Sequence, residues 1–385
     1  MGELIHVISG TGLDIKSLPS QFPQGILVNA VDTGATLGIF RQTKNIINWV
    51  KSHNPSVKTV LDCGAFSAMN AAKKGKTIVY DMSNPRNYYG NYFNLTPVHA
   101  IRIQRKLQLD VMISLDKIAP KVSTDPEREY QWMAVHTFNV LNCIRTVELK
   151  EIYCKNIDMA LLVPLQVYDL QQFSIFLKDI QRVMNKIDGF SCPRRNLNPI
   201  KLILFLLKIY LTGKTQICHI LGTTAFGMVV VCAYAARHWF DVITYDATSW
   251  RLYSKWEYYL FRYNLKSLRL RKDIFVDRSV LSAPLSCDCE WCQKYANLGE
   301  IRDLEYSQKR EFLERHNFFV IDKFCQEAFE HADSVSELKR YLFARTKGSR
   351  NEEIEQICRY LEIADKIKDT ISHKGLEALW RQNCK

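Results

Sequence analysis

The 385-residue sequence predicts an α/β chain: a (β/α)8 TIM barrel followed by a small cysteine-bearing subdomain and C-terminal helices. Three observations predict it. Short apolar, β-rich runs alternate with longer stretches of helical spacing, the runs end in polar residues at one relative place, and a tight cluster of cysteines follows them. Alternation of this kind argues for a parallel sheet covered by helices. With about seven or eight such units in roughly 250 residues, a closed barrel is favoured over an open doubly wound sheet.

The strand candidates, in order, are Gly25–Val31, Thr59–Gly64, Asp110–Asp116, Met159–Gln166, Asp188–Ser191, Gln216–Thr223 and Asp241–Tyr245. Between them the spacing predicts helices over Lys44–Ser52, Pro97–Leu107, Glu127–Val147, Leu170–Lys186, Ile200–Leu211 and Phe226–Ala236. Two apolar runs, Leu202–Leu211 and Ala225–Ala236, are much shorter than the roughly 20 residues of a membrane span, and Lys208 interrupts the first. They are expected as buried core helices, with no membrane partner. After about residue 250 the character changes: Arg251–Lys272 interleaves basic and aromatic side chains, cysteines follow, and a charged helical tail closes the chain. The expected division is a catalytic barrel over 1–280, a zinc-binding subdomain over 281–330 and a C-terminal helical segment over 331–385.

Composition narrows the class. An apolar share of 47% with 24% charged residues excludes a disordered or collagen-like chain. Lysine and arginine total 52 against 40 acidic residues, a net charge of +12, which points to a polyanionic partner. Met1–Gly10 lacks the basic start of a secretion signal and is followed by Asp14 and Lys16. The 12 cysteines are therefore expected reduced, in the cytoplasm (the host's, if a phage encodes the chain), and partly metal-binding.

The strand candidates end in Asp62, Asp116, Gln166, Thr223 and Asp241 or Asp246. Barrel enzymes gather their chemistry at the C-terminal ends of the strands, although any one such acid is also an ordinary helix cap. Downstream, SCDCEWCQKY places Cys287, Cys289 and Cys292 within six positions. One tight loop can thus supply three thiolates to a tetrahedral ion, and His316, in RHNFFVIDKF, is the candidate fourth ligand. Three thiolates and an imidazole leave no open position, so the site is expected to hold structural rather than catalytic zinc.

Several segments, in order, resemble one family. SCDCEWC with the later His-Asn is similar to the zinc motif of the tRNA-guanine transglycosylases, which are (β/α)8 barrels with a zinc subdomain near the C-terminus. Leu95–Pro120 resembles that family's Leu-Thr-Pro stretch, and LDCGAFS at Leu61–Ser67 its Asp-Ser-Gly-Gly-Phe-Gln. HILGTT at His219–Thr224 is similar to its Leu-Met-Gly-Val-Gly turn, and WFDVITYD at Trp239–Asp246 to its Met-Phe-Asp-Cys strand. The likeness spans about residues 24–330. Cys63, Ala65 and Ser67 depart from the pattern, and DGFSCPRRN at Asp188–Asn196 stands where the family has a Gly-Gly-Leu loop. These departures resemble a divergent branch that modifies DNA rather than tRNA.

The resemblance implies exchange of a guanine in a polynucleotide for a free 7-deazaguanine such as preQ0. One carboxylate attacks C1′ to form a covalent glycosyl-enzyme, dividing the exchange into two displacements. Asp241 matches the nucleophile by its Phe-Asp context, and Asp246 is the rival nearer the strand end. Asp62 matches the general acid/base, a role suited to a pKa tuned towards neutrality. Guanine offers an acceptor at O6 and donors at N1 and N2, so Asp116 and Gln166 form the expected reading pair, with Cys63 and Gly222 beside them. Phe66 and Leu221 would line an apolar slot for the extracted base. Arg194, Arg195, Lys266, Arg269 and Arg271 are candidate phosphate contacts. DNA is the expected partner, with tRNA as the alternative and a homodimer or helper protein as the further expected partner. A non-catalytic nucleic-acid-binding subunit is the reading from another class.

Overall fold

The structure is a computed structural model that describes residues 2–9, 24–30, 37–64, 96–118, 125–193, 197–246 and 249–383. Eight parallel strands close into a barrel in chain order: β1 (Glu3–Ser9), β2 (Gly25–Asn29), β3 (Lys58–Asp62), β4 (Val111–Ile113), β5 (Ala160–Pro164), β6 (Gly189–Pro193), β7 (Ile217–Leu221) and β8 (Val242–Asp246). The β8 strand closes the ring on β1, with Glu3 opposite Val242 and Val7 opposite Asp246. This is the predicted (β/α)8 barrel. The strand over Glu3–Ser9 is an addition to the sequence reading.

Helices α1 (Leu37–His53), α2 (Pro97–Leu107), α3 (Asp125–Tyr153), α4 (Leu170–Asp179), α5 (Pro199–Tyr210) and α6 (Phe226–His238) return the chain between strands. Local chemistry sets their starts. The Thr96 side chain caps α2 and Pro97 occupies its first turn, while Gln108, at φ 52°, ends it by donating its backbone N–H to the Gln104 carbonyl. The Thr96–Pro97 part of the Leu-Thr-Pro motif is thus a helix-start signal. Asn198 and Pro199 open α5 in the same way. Both α5 and α6 are buried along most of their length, and among the described residues no helix is long and apolar enough to cross a membrane.

Side chains alternate across each strand, so one face fills the barrel and the other meets the helices. The barrel floor is apolar, built from Ile5, Leu27, Val60, Val111, Leu162 and Ile217. Strands β3 and β4 are locked near their N-terminal ends, where the Asp110 carboxylate accepts from both the Thr59 N–H (2.8 Å) and hydroxyl (2.7 Å). A packed floor and fixed strands leave the C-terminal ends as the rigid rim on which chemistry can be built.

Beyond β8 come α7 (Ser249–Lys255), the antiparallel hairpin β9 (Tyr258–Leu260) and β10 (Ser267–Arg269), then α8 (Arg278–Ser282) and α9 (Leu298–Asp303). They lead into α10 (Tyr306–Glu330), α11 (Val335–Thr346), α12 (Asn351–Ile367) and α13 (His373–Asn383). The hairpin shares a core with the cysteine cluster and with Ile8 and Ile26 on the outer barrel wall, so the 281–330 segment packs together with residues N-terminal to it. Helix α10 ties this unit to the barrel: Asp322 lies 3.4 Å from the buried His6 ring of β1, which stacks on Tyr245 and Phe318. The tail helices share the main barrel core. There the fully buried Lys208 ammonium pairs with Glu377 at 3.0 Å, and Glu377 also accepts from the Ser174 hydroxyl.

Candidate active site

Three carboxylates meet at the C-terminal mouth. Asp62 is the last residue of β3, Asp246 the last of β8, and Asp116 follows β4 by three positions. The turn after β3 needs Gly64 at φ 85°, a conformation L side chains rarely adopt, and its N–H donates to Asp62 Oδ2 at 3.1 Å. The turn after β7 repeats the device: Gly222, at φ 74°, donates its N–H to Asp246 Oδ1 at 2.8 Å. Asp116 is held through its own loop, because the Asn139 side chain bonds both the Lys117 N–H (2.7 Å) and the Lys117 carbonyl (3.1 Å).

Asp116 is buried and accepts from two neighbours, the Cys63 thiol at 2.7 Å on Oδ1 and Gln166 Nε2 at 2.5 Å on Oδ2. Burial pushes its carboxyl above the usual range, and the two donors oppose that push. Asp62 is pushed up to about 7, first by its withdrawal from water and then by the negative charges of Asp116 and Asp246. A carboxyl that titrates at neutrality can both give and take a proton there, as the acid/base of an exchange must. Leu221, on the interior face of β7 beside Gly222, puts apolar surface next to these acids.

The cysteine cluster forms a second, closed site. Ligand atoms of Cys287, Cys289, Cys292 and His316 all lie within 4.8 Å of one another, and all four residues are buried. A tetrahedral zinc with Zn–S bonds of about 2.3 Å brings its sulfurs about 3.8 Å apart, so the four donors fit one ion. His316 Nδ1 faces the Cys289 and Cys292 sulfurs at 3.4 and 3.3 Å, while Nε2 donates to the Leu260 carbonyl at 2.8 Å. That outer bond fixes the tautomer which leaves Nδ1 free to ligate. Tyr259 stacks on the imidazole with ring centroids 4.1 Å apart.

A family model described as queuine tRNA-ribosyltransferase matches residues 24–345. The chain belongs to that family. Membership implies guanine transglycosylase activity, and the family carries structural zinc, which the Cys3His cluster could bind. No curated protein matches the chain.

The mouth brings together Asp62, Cys63, Asp116, Gln166, Leu221, Gly222 and Asp246. It does not include Asp241. That residue precedes the first residue of β8, its side chain is exposed, and its carbonyl accepts from Glu3 N–H at the N-terminal end of β1. Five residues of strand at about 3.3 Å each put it roughly 16 Å from Asp246, at the other end of the barrel. The expectation of a nucleophile at Asp241 is therefore corrected. Two aromatic–Asp pairs lie five residues apart, Phe240–Asp241 and Tyr245–Asp246, and only the second ends the strand.

Phe66, Arg194 and Arg195 lie outside the described residues. Lys266 is exposed on the hairpin turn, Arg269 lies over the Tyr258 ring, and Arg271 makes paired bonds to Asp273 at 2.8 and 2.6 Å. Lys266 and Arg269 belong to the hairpin beside the cysteine cluster, and Arg271 follows it. Sequence reasoning passed over His219, whose alternation with Leu221 on β7 was the available signal.

Proposed function

We propose that this chain exchanges guanine in DNA for a free 7-deazaguanine through a covalent aspartyl-glycosyl intermediate on Asp246. The observation that carries the reading is the convergence of Asp62, Asp116 and Asp246 on one mouth, with Asp62 tuned to about 7. In the first displacement an Asp246 carboxylate oxygen bonds C1′, the C1′–N9 bond breaks, and Asp62 gives its proton to the departing base. In the second, the incoming base loses its N9 proton to Asp62 and bonds C1′, and the Asp246 ester oxygen leaves as carboxylate. One glycosidic bond replaces another and no proton is lost, so no oxidant or energy source is required.

Asp116 is the acceptor for N1–H and N2–H of guanine, and Gln166 donates to O6 through its second amide N–H. Adenine would face Asp116 with an acceptor and leave it unpaired, a mismatch that costs orders of magnitude in selectivity. The zinc, held by Cys287, Cys289, Cys292 and His316, would brace the hairpin and α10 against β1 and supply no chemistry to the mouth. Departures at Cys63 and over Asp188–Asn196 support DNA over tRNA, because these positions match the family's segments that approach base and nucleic acid. Among the described residues no cysteine is in a disulfide, and a reducing cytoplasm would suit thiolates that hold zinc.

Labelled 7-deazaguanine supplied with duplex DNA, single-stranded DNA and tRNA tests the reading. Label in DNA with release of guanine supports it. Label in tRNA alone moves the chain to the tRNA-modifying activity, and binding without exchange to any polynucleotide makes it a non-catalytic subunit.

A further inference from the structure

The imidazole of His219 lies inside the barrel, fully buried, directly beneath Asp246. Strand register puts it between Ser191 of β6 and Thr244 of β8, a polar layer above the apolar floor. Its Nδ1 is 2.6 Å from the Thr244 hydroxyl, and its Nε2 is 3.4 Å from Asp246 Oδ1. Nε2 has no hydrogen-bond partner at that distance, and a buried polar atom left so costs stability unless function recovers it. Catalytic contacts are often long before substrate binds and tighten in the reacting complex.

Resting on the base-exchange reading, we infer that His219 is a positioning residue for the Asp246 carboxylate. With the Thr244 hydroxyl donating to Nδ1, the imidazole proton sits on Nε2 and faces Oδ1. Oδ1 already accepts the Gly222 N–H at 2.8 Å, so two donors from β7 and its turn hold one oxygen and aim the other at C1′. The same pair serves the second displacement, in which Asp246 leaves as an anion and the Nε2 proton meets the returning charge. The buried Thr244 and His219 and the half-buried Asp246 thus form a series in which each member orients the next.

Two measurements test this, one of them independent of activity. In the exchange assay, His219→Phe is expected to lower kcat on the order of 10- to 100-fold, the worth of one hydrogen bond to a charged group, while KM for the free base stays unchanged. His219→Gln keeps an N–H near the Nε2 position and is expected to recover most of the loss. If His219→Phe fails to fold, Thr244→Val asks the same question through tautomer control, and it too lowers kcat. Wild-type kcat in a folded His219→Phe or Thr244→Val protein overturns the inference. The second measurement follows the imidazole nitrogens by NMR at one pH, in the wild type and in Asp246→Asn. The acids gathered at this mouth are Asp62, Asp116 and Asp246, and only the last is altered. A displaced His219 Nε2 resonance in Asp246→Asn relative to the wild type is expected, and an unmoved resonance overturns the pairing. A wild-type protein inert on every polynucleotide would sink the base-exchange reading, and the NMR result would still decide the pairing.

Discussion

Replacing Asp62 by Asn should impair chemistry and raise stability, and the stability gain should depend on pH. The unfolded side chain releases its proton near 3.8, whereas the folded one holds it to about 7. Between those values the folded state binds more protons than the unfolded state, so stability falls as pH rises through the window. Converting the interval from 3.8 to about 7 at roughly 1.4 kcal/mol per pH unit gives about 4 kcal/mol as an upper bound. Asp62 is only partly buried, and water at the mouth reduces this to about 2 kcal/mol. Asn cannot ionise, yet its side-chain oxygen still accepts the Gly64 N–H. The variant should therefore melt with the wild type near pH 4 and above it at pH 8. For a chain of this length the unfolding entropy is about 0.8 kcal/mol/K, so the gap at pH 8 should be about 2–3 °C. Base exchange should fall by roughly 10²–10⁴-fold through loss of the general acid/base. Calorimetry at pH 4, 6 and 8 provides the test. A gap that is constant with pH, or a variant less stable at pH 8, would refute the assignment of a raised Asp62 pKa.

Asp116→Asn should raise KM for the free base at least tenfold with the fold intact, because one of its amide hydrogens now faces the donors of guanine; equilibrium dialysis with labelled base checks it. Plasma emission should find about one zinc per chain, and Cys292→Ala should lose it together with thermal stability; a zinc-free protein of unchanged melting temperature contradicts the closed site. Lys208→Met should stay folded or gain stability, whereas Glu377→Gln, which leaves the buried ammonium without its counter-charge, should cost about 3 kcal/mol by denaturant titration.

Much of this was legible in the sequence because the barrel is written in local pattern. Seven strands announce themselves as apolar runs bounded by polar ends, and Thr96–Pro97 or Asn198–Pro199 mark helix starts by capping chemistry that needs no tertiary partner. The eighth strand, Leu4-Ile5-His6-Val7-Ile8 with its flanks, escaped because His6 interrupts the run, and that histidine faces outward to Asp322, 316 residues later in the chain. The cysteines were readable since a tight loop brings three ligands together by itself. Which late aspartate stands at the mouth was not, because Phe240–Asp241 matches the family's dipeptide while strand register decides which Asp reaches the mouth. Register is a property of the closed barrel, where a shift of five residues is the whole height of β8. His219 was hidden for the same reason: its chemistry appears only when β7 and β8 lie side by side.

The central claim is that Asp246 forms the bond to the sugar. Incubation with DNA and no incoming base, acid quenching, proteolysis and mass spectrometry of the peptides measures it directly. A glycosyl adduct is expected on the peptide bearing Asp246, lost in Asp246→Asn and retained in Asp241→Asn. An adduct retained in Asp246→Asn, or one mapped to Asp241, would contradict it.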